Sequence, residues 1–370
     1  MNAPAAIVGA SCHFASAPTL PLADVAVRAP LALLSRHPFF VDRGGMRVRV
    51  NAVFDLEPEF SAKRWCTLAR AALGELADTL AVQGLLPKRR GSCALWLVLP
   101  PGERAGVPAD LADRLRLALQ DERFGWTKVH TMRGGHAAGV HALRQAAQAD
   151  GSLGVVLGVD CWGHPHALQW LEEHGLLHGA HALHEARFRP NPYGRVPGEA
   201  AAAVAILPGA GRRARWGRTT VSKPAAPPWA MLSGSALAEE GHTWDASTPC
   251  LGAGLTRAAL GALDAARVPV GAVQHVSTDL NGEPYRTDEF GFTALQLAAR
   301  LAPGWKRSAH TLVTGDVGSA SVVLQTALAA YSMYRERDPR SAVATRLILS
   351  TSDDTLRAAL ALTSAPISVP

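Results

Sequence analysis

Several things are scarce or missing in this chain, and each absence narrows what it can be. The five cysteines, Cys12, Cys66, Cys93, Cys161 and Cys250, stand far apart with no Cys-x-x-Cys pair. Their odd number argues against a disulfide framework and points to a reducing cytoplasm. Lysine is scarce: five residues, so the formal net charge of +6 comes from arginine. The positive charges are scattered, with no basic stripe interleaved with aromatics, which argues against nucleic acid as a partner. An anionic partner such as an acidic carrier protein or a phosphate stays open. No stretch of about 18 apolar residues is present, so no transmembrane helix is expected. The first fifteen residues lack a basic region, and apart from His13 the first acidic or basic side chain is Asp24. Ala5 to Gly9 therefore reads as a buried strand rather than part of a signal peptide. There is no P-loop lysine and no Gly-x-Ser-x-Gly elbow. Gly209-x-Gly211 and Gly252-x-Gly254 are incomplete nucleotide fingerprints, so no cofactor is expected.

What is present is a chain of 370 residues, 48% hydrophobic and only 18% charged, long enough for a large core and too apolar for extended disorder. Short apolar runs alternate with longer amphipathic ones, which is the α/β pattern. Strands are predicted at 93–99, 153–160 and 201–207, and helices at 62–83, 109–119 and 137–148. After the proline-rich stretch at 224–228 a second series begins. It holds a helix at 256–266, a strand at 270–276, a helix at 289–301, a helix after Gly318, a strand at 346–350 and an apolar run at 358–362. Two series of similar order suggest two related halves, 1–215 and 216–370.

Six histidines crowd residues 164 to 184: His164, His166, His174, His178, His181 and His184. His174 and His178 have the spacing that places two imidazoles on one helix face. Gly175 lies between them and no carboxylate or cysteine set completes the site, so no metal is expected.

Four landmarks, in order, carry a resemblance. The first is Thr131-Met132-Arg133-Gly134-Gly135-His136-Ala137-Ala138-Gly139, a strand running through a turn into a helix of small residues. The second is the strand Val155 to Asp160. The third is Val196-Pro197-Gly198-Glu199-Ala200-Ala201-Ala202-Ala203. The fourth is His275-Val276-Ser277-Thr278-Asp279-Leu280-Asn281-Gly282-Glu283-Pro284. Together they resemble the ketosynthases of the thiolase superfamily, whose active-site loop begins His-Gly-Thr-Gly-Thr and ends Gly-Asp-Pro.

That resemblance implies a thiolase-like α/β fold, two similar halves in an α/β/α/β/α layering. It implies a homodimer formed through the strand before the nucleophile turn, around Thr127 to Thr131. Active members join acyl groups through a cysteine thioester supported by two histidines, or His and Asn, and take substrate from an acyl carrier protein or coenzyme A. Here the turn region 127–144 is expected to put Met132 or Arg133 at the cysteine position, and neither can form a thioester. His275 matches the first histidine, with Ser277 as the following hydroxyl. Asp316 stands where the second histidine is expected. Ser350 to Asp354, with Ser352 and Asp353, takes the place of a Gly-rich loop, and acids there would repel an oxyanion. Met132, Arg133, His275 and Asp316 thus form a relic constellation, with Arg133 expected to pair with Asp316 or Asp353. Ser277, Asp279, Asn281, Glu283, Arg286, Ser352 and Asp353 are candidates for a polar binding pocket.

The expectation is a ketosynthase-like protein without its condensing chemistry, acting as a binding, adaptor or assembly factor. The group it resembles is the one associated with type VI secretion effector genes. Its expected partners are a secretion effector, a ketosynthase or an acyl carrier protein. The rivals are a subunit like a chain-length factor, paired with an active ketosynthase, and a cysteine-independent decarboxylase or hydrolase using His275 with Asp279 or Glu283.

Overall fold

The computed structural model describes residues 4–53, 56, 60–86, 93–120, 123–149, 153–181, 190–208, 227–338 and 343–365. The chain opens with β1 (Ala5–Phe14), α1 (Leu20–Arg28), a ribbon of β2 (Ser35–Val41) and β3 (Arg47–Val50), and the long α2 (Ala62–Val82). Then come β4 (Cys93–Leu99), α3 (Leu111–Ala118), β5 (Trp126–Arg133), α4 (Ala138–Gln148), β6 (Leu153–Cys161), α5 (Pro165–Glu173) and β7 (Glu199–Leu207). The second series is β8 (Ala230–Glu239), α6 (Ala253–Ala265), β9 (Val273–Thr278), α7 (Pro284–Gln296) and β10 (Leu301–Ala309). It ends with α8 (Thr311–Thr314), α9 (Ser321–Arg335), β11 (Thr345–Thr351) and β12 (Leu356–Thr363).

The main sheet runs β10-β9-β11-β12-β8-β1-β7-β6-β4-β5. Each half repeats one plan. Its second strand pairs in parallel with its third and fourth, and antiparallel pairs join the fourth to the fifth and the fifth to the first. The halves meet where β1 pairs antiparallel with β8, from Ala5 opposite Leu232 to Ile7 opposite Ala230. The expected boundary at 215/216 lies outside the described residues.

Strand alternation sets the layers. In β4, Cys93, Leu95, Leu97 and Leu99 pack outward with Leu68, Leu73, Leu76 and Leu80 of α2. Ala94, Trp96 and Val98 face the other way, into a core shared with α4 and α9. In β12, Ala358, Leu360 and Leu362 join that same central core, while Ala359 and Ala361 pack with Leu255, Ala259 and Leu263 of α6. The result is the α/β/α/β/α layering, with α4 and α9 as the filling between the halves. Strands buried on both faces read as continuous apolar runs, which is why β4, β6 and β7 are plain in the sequence.

One of the predicted helices is displaced. The predicted helix at 289–301 begins earlier and stops at Gln296, and Leu301 opens β10 instead. Pro303 and Gly304 lie inside this outermost strand, only two of whose nine residues are buried, so it carries no apolar signature.

Candidate functional site

Two turns meet in the middle of the molecule. The residues after β5, Gly134 to Ala137, lead into α4, and those after β10 lead through α8 into α9. His136 sits in the first turn and Asp316 in the second, 1% and 0% exposed. His136 Nε2 lies 2.8 Å from Asp316 Oδ1. Asp316 Oδ1 also accepts from the Gly318 N–H at 2.8 Å, and Oδ2 from Asn281 Nδ2 at 2.7 Å. Gly318 must be glycine, because its φ is +46° and a Cβ would lie 2.2 Å from Asp160 Oδ2. Asp160 in turn accepts from the Ser319 N–H at 2.7 Å. The landmark strand ending at Asp160 thus holds the second turn in place.

Around this pair lies a buried ionic lattice. Arg195, 0% exposed, donates through Nε and Nη2 to Glu283 Oε1 at 2.9 and 2.6 Å. It also spans Asp353, with Nη1 to Oδ2 at 3.0 Å and Nη2 to Oδ1 at 2.9 Å. Arg286 binds the other side, donating to Glu283 Oε2 at 2.8 Å, to Asp353 Oδ1 at 2.7 Å and to the Thr351 carbonyl. Such groups tolerate burial only because each charge is matched and hydrogen-bonded.

The charges set the protonation states. Burial alone would push His136 down, but the Asp316 carboxylate outweighs it and holds the imidazolium up. Burial alone would raise Asp316, yet His136 and Arg195 hold it well below the usual carboxylate range. Asp353 is likewise held down, its burial outweighed by Arg195 and Arg286. His310, 3% exposed, goes the other way: burial pulls it down to about 4 against Asp279 and Asp316.

The sequence-derived residues distribute unevenly. Met132 and Arg133 lie in β5 rather than in the turn, and it is His136, four and three positions later, that faces Asp316. Arg133 does not pair with Asp316 or Asp353; its Nη1 donates to the Pro100 carbonyl. His275 lies within β9 and reaches Ser308 Oγ at 2.8 Å, and burial, with Arg346 nearby, lowers it to about 4. Ser277 contacts the same Ser308 hydroxyl at 3.3 Å. Asp279 accepts from Ser350 Oγ at 2.5 Å and the Thr351 N–H at 3.1 Å. Asn281, Glu283, Arg286 and Asp353 do enter the lattice. Ser352 Oγ accepts from the Ala137 N–H at 3.0 Å, at the start of α4. Gly135 beside it leaves room, since a Cβ there would lie 2.8 Å from that hydroxyl.

Sequence reasoning missed His136, Arg195 and His310. His136 had a usable signal: it directly precedes Ala137-Ala138-Gly139, the small-residue helix start. Arg195 had only its isolation in a Pro- and Gly-rich stretch.

No cysteine stands in the turn that leads into α4. All five cysteines are buried and free, and burial raises every thiol, Cys93 and Cys250 to about 12. A protonated, buried thiol is inert as a nucleophile. The start of α4 presents an imidazolium instead, and Ser352 occupies its first amide.

The histidine cluster does not assemble either. Helix α5 ends at Glu173, and Gly175 turns the chain at φ +67°, so His174 and His178 do not share a helix face. His174 stacks on Trp170, His181 binds Asp42 at 2.8 Å, and His184 lies outside the described residues. Among the described residues one set, Glu240, Cys250 and Glu289, has ligand-like spacing. Arg357 Nε already sits 2.5 Å from Glu289, and the thiol is protonated, so this set reads as a buried ion pair. No helix among the described residues is long and apolar enough to cross a membrane.

No protein family and no curated protein matches the chain by sequence. Solved structures do match by shape. The ketosynthase from module 6 of the bacillaene synthase of Bacillus subtilis 168 superposes with a TM-score of 0.72 at 13% identity, over 99% of this chain and 72% of that one. A type II PKS acyl-carrier protein in complex with its ketosynthase bound to the hexaketide, AntDE:AntF, gives 0.74 at 14% identity, over 99% and 100%. The ishigamide ketosynthase/chain length factor gives 0.64 at 19%, again over 99% and 100%. The fold is therefore the thiolase-like fold of ketosynthases. At these identities the likeness concerns the fold; what the site does has to be argued from its residues.

Proposed function

We propose that this ketosynthase-fold protein does not condense acyl groups and serves as a binding partner, an adaptor or assembly factor. One observation carries the reading. The turn that leads into α4 holds His136, locked to Asp316, and the adjoining Ala137 amide is taken by Ser352. A thioester needs a thiolate at such a position and free donors for the oxyanion. Instead the charges are satisfied internally, as in a structural core.

The resemblance in the sequence adds a partner class, effectors of type VI secretion. A second reading is a non-condensing subunit paired with an active ketosynthase, and the likeness to a ketosynthase/chain length factor favours it. Strand β5 is the outermost strand of its half and supplies the edge such pairing needs, with a second copy or with a ketosynthase. A hydrolase or decarboxylase built on His275 with Asp279 or Glu283 has less support, since His275 bonds Ser308 and Asp279 bonds Ser350.

The test is the intact mass of the protein after incubation with acyl- and malonyl-loaded carrier proteins. An unchanged mass and no released product are expected; an acyl adduct or turnover overturns the reading. Affinity purification from the native host then separates the partners: an effector, a ketosynthase, or only a second copy.

A further inference from the structure

The geometry points to the outer face of the β2–β3 ribbon as a docking surface for an acidic polypeptide segment. Residues 28 to 49 hold five arginines, Arg28, Arg36, Arg43, Arg47 and Arg49, against one acid, Asp42. Asp42 is buried (4% exposed) and engaged with His181 and the Met46 N–H, so it neutralises nothing outside. Arg28 pairs with Asp24 and Glu336 and Arg43 with Glu173, which leaves Arg36, Arg47 and Arg49 as the charges of the ribbon.

Alternation in β3 buries Val48 and Val50 and turns Arg47 and Arg49 outward. The strand register then sets Arg36 directly opposite Arg49. Like charges facing each other across a strand pair are destabilising. Among the described residues no carboxylate pairs with Arg36, Arg47 or Arg49; Arg36 instead donates to the Arg47 carbonyl at 2.5 Å. Beside them Phe39, Val41 and Met46 are 52%, 50% and 49% exposed. The ribbon's own footing is elsewhere. His37 stacks on Phe60 at 4.9 Å and bonds the Gly163 carbonyl, and Val48 and Val50 enter the core. The ribbon is thus anchored away from its exposed face, and that anchoring does not use the face's charges.

Three guanidiniums on one face of the ribbon, rimmed by half-covered apolar side chains, complement an extended segment in which carboxylates alternate with apolar residues. Guanidiniums bind carboxylates bidentately, which makes such a segment a better match than a diffuse anionic surface. The apolar residues are too shallow for the deep burial by which a helix anchors in lipid. The surface goes with the binding-partner reading and rests on it for its role in the cell.

A labelled peptide of about twelve residues alternating Glu with Leu and Phe serves as probe, with a Lys-for-Glu version as control. Fluorescence anisotropy with the full chain should show binding of the acidic peptide alone, weakened by salt. The R36E/R47E/R49E variant should lose about tenfold or more in affinity, and F39S several-fold with an unchanged salt dependence. R49E alone should raise Tm slightly, because it converts the like-charge pair into an opposed one, and thermal melting of each of the other variants shows that it folds. No binding, or equal binding by the triple variant, overturns the proposal. Sedimentation with phosphatidylserine vesicles that depends on the three arginines, while the peptide is ignored, assigns the face to lipid and overturns it too. An acyl adduct in the mass experiment would overturn the non-condensing reading and leave this surface standing.

Discussion

The turn before α4 and the turn before α9 stand at the same place in the two halves of the strand order, after the third strand of each. They are built differently. The first is short and carries a histidine; the second is longer, contains α8, and carries an aspartate. Each residue alone would be a poor choice. A buried imidazolium at a helix N-terminus opposes the helix dipole, and a buried carboxylate without a counter-ion is costly. Facing each other at 2.8 Å, they cancel. The repeated topology brings two helix starts together, and what fills them decides whether the meeting place is a reaction site or a structural joint.

Removing one side should break the joint most severely. Asp316→Ala leaves His136 and Arg195 short of an anion and strands the donors of Asn281 and Gly318. The expected loss is about 3–5 kcal/mol of unfolding free energy, read as a drop in urea midpoint. A loss below about 1 kcal/mol would mean that the two turns are not coupled by charge.

Two histidines near these turns sharpen the contrast through pH. His136 is raised in the fold, so its contribution is fully present below the unfolded value near 6.5 and is lost as pH rises through its folded pKa. Asp316, held low, contributes above the ordinary carboxylate value and loses this as pH falls through its depressed pKa. His310 is the opposite of His136. Kept neutral, with a pKa of about 4, it costs stability as pH falls from about 6.5 towards 4. His310→Gln should therefore flatten the acid side of the stability profile by on the order of 3 kcal/mol, and His136→Gln should flatten the alkaline side. His275 adds to the acid side, being also near 4, so the H275Q background isolates the His310 effect. An acid limb unchanged in the double variant would sink the assignment.

How far the sequence discloses this molecule depends on the kind of signal. Strands buried on both faces, such as β4 and β6, appear as apolar runs, and the small-residue start of α4 marks a close approach, since Gly139 leaves 3.2 Å to Val322 for a Cβ. The edge strand β10 and the β2–β3 ribbon do not show themselves, because half their residues face solvent. The site was partly legible. The Asp279 to Arg286 stretch does bring Asn281, Glu283 and Arg286 into the centre, while His275, matched by spacing, stays in its strand. Arg195 was invisible, since its partners Glu283 and Asp353 lie 88 and 158 residues away. No local pattern encodes a contact of that span. The sequence sets Met132 or Arg133 in the turn because a strand's end is not fixed by composition, whereas β5 continues through Arg133.

The smallest effect falls on a hydroxyl beside the start of α4. Ser352 Oγ covers the Ala137 N–H, and Ser352→Ala should cost only about 1 kcal/mol, or up to about 3 if water cannot reach the amide. Its value lies in combination. His136→Cys alone puts a thiol at the start of α4 but leaves the amide capped, and after incubation with an acyl thioester its mass should stay unchanged. With Ser352→Ala added, the amide is free to hold an oxyanion and the helix dipole favours the thiolate, so slow acylation is expected. Acylation of the single variant would show that the Ser352 contact is no barrier. No acylation of the double variant would place the obstacle in Asp316, whose charge would then face a nucleophile of the same sign.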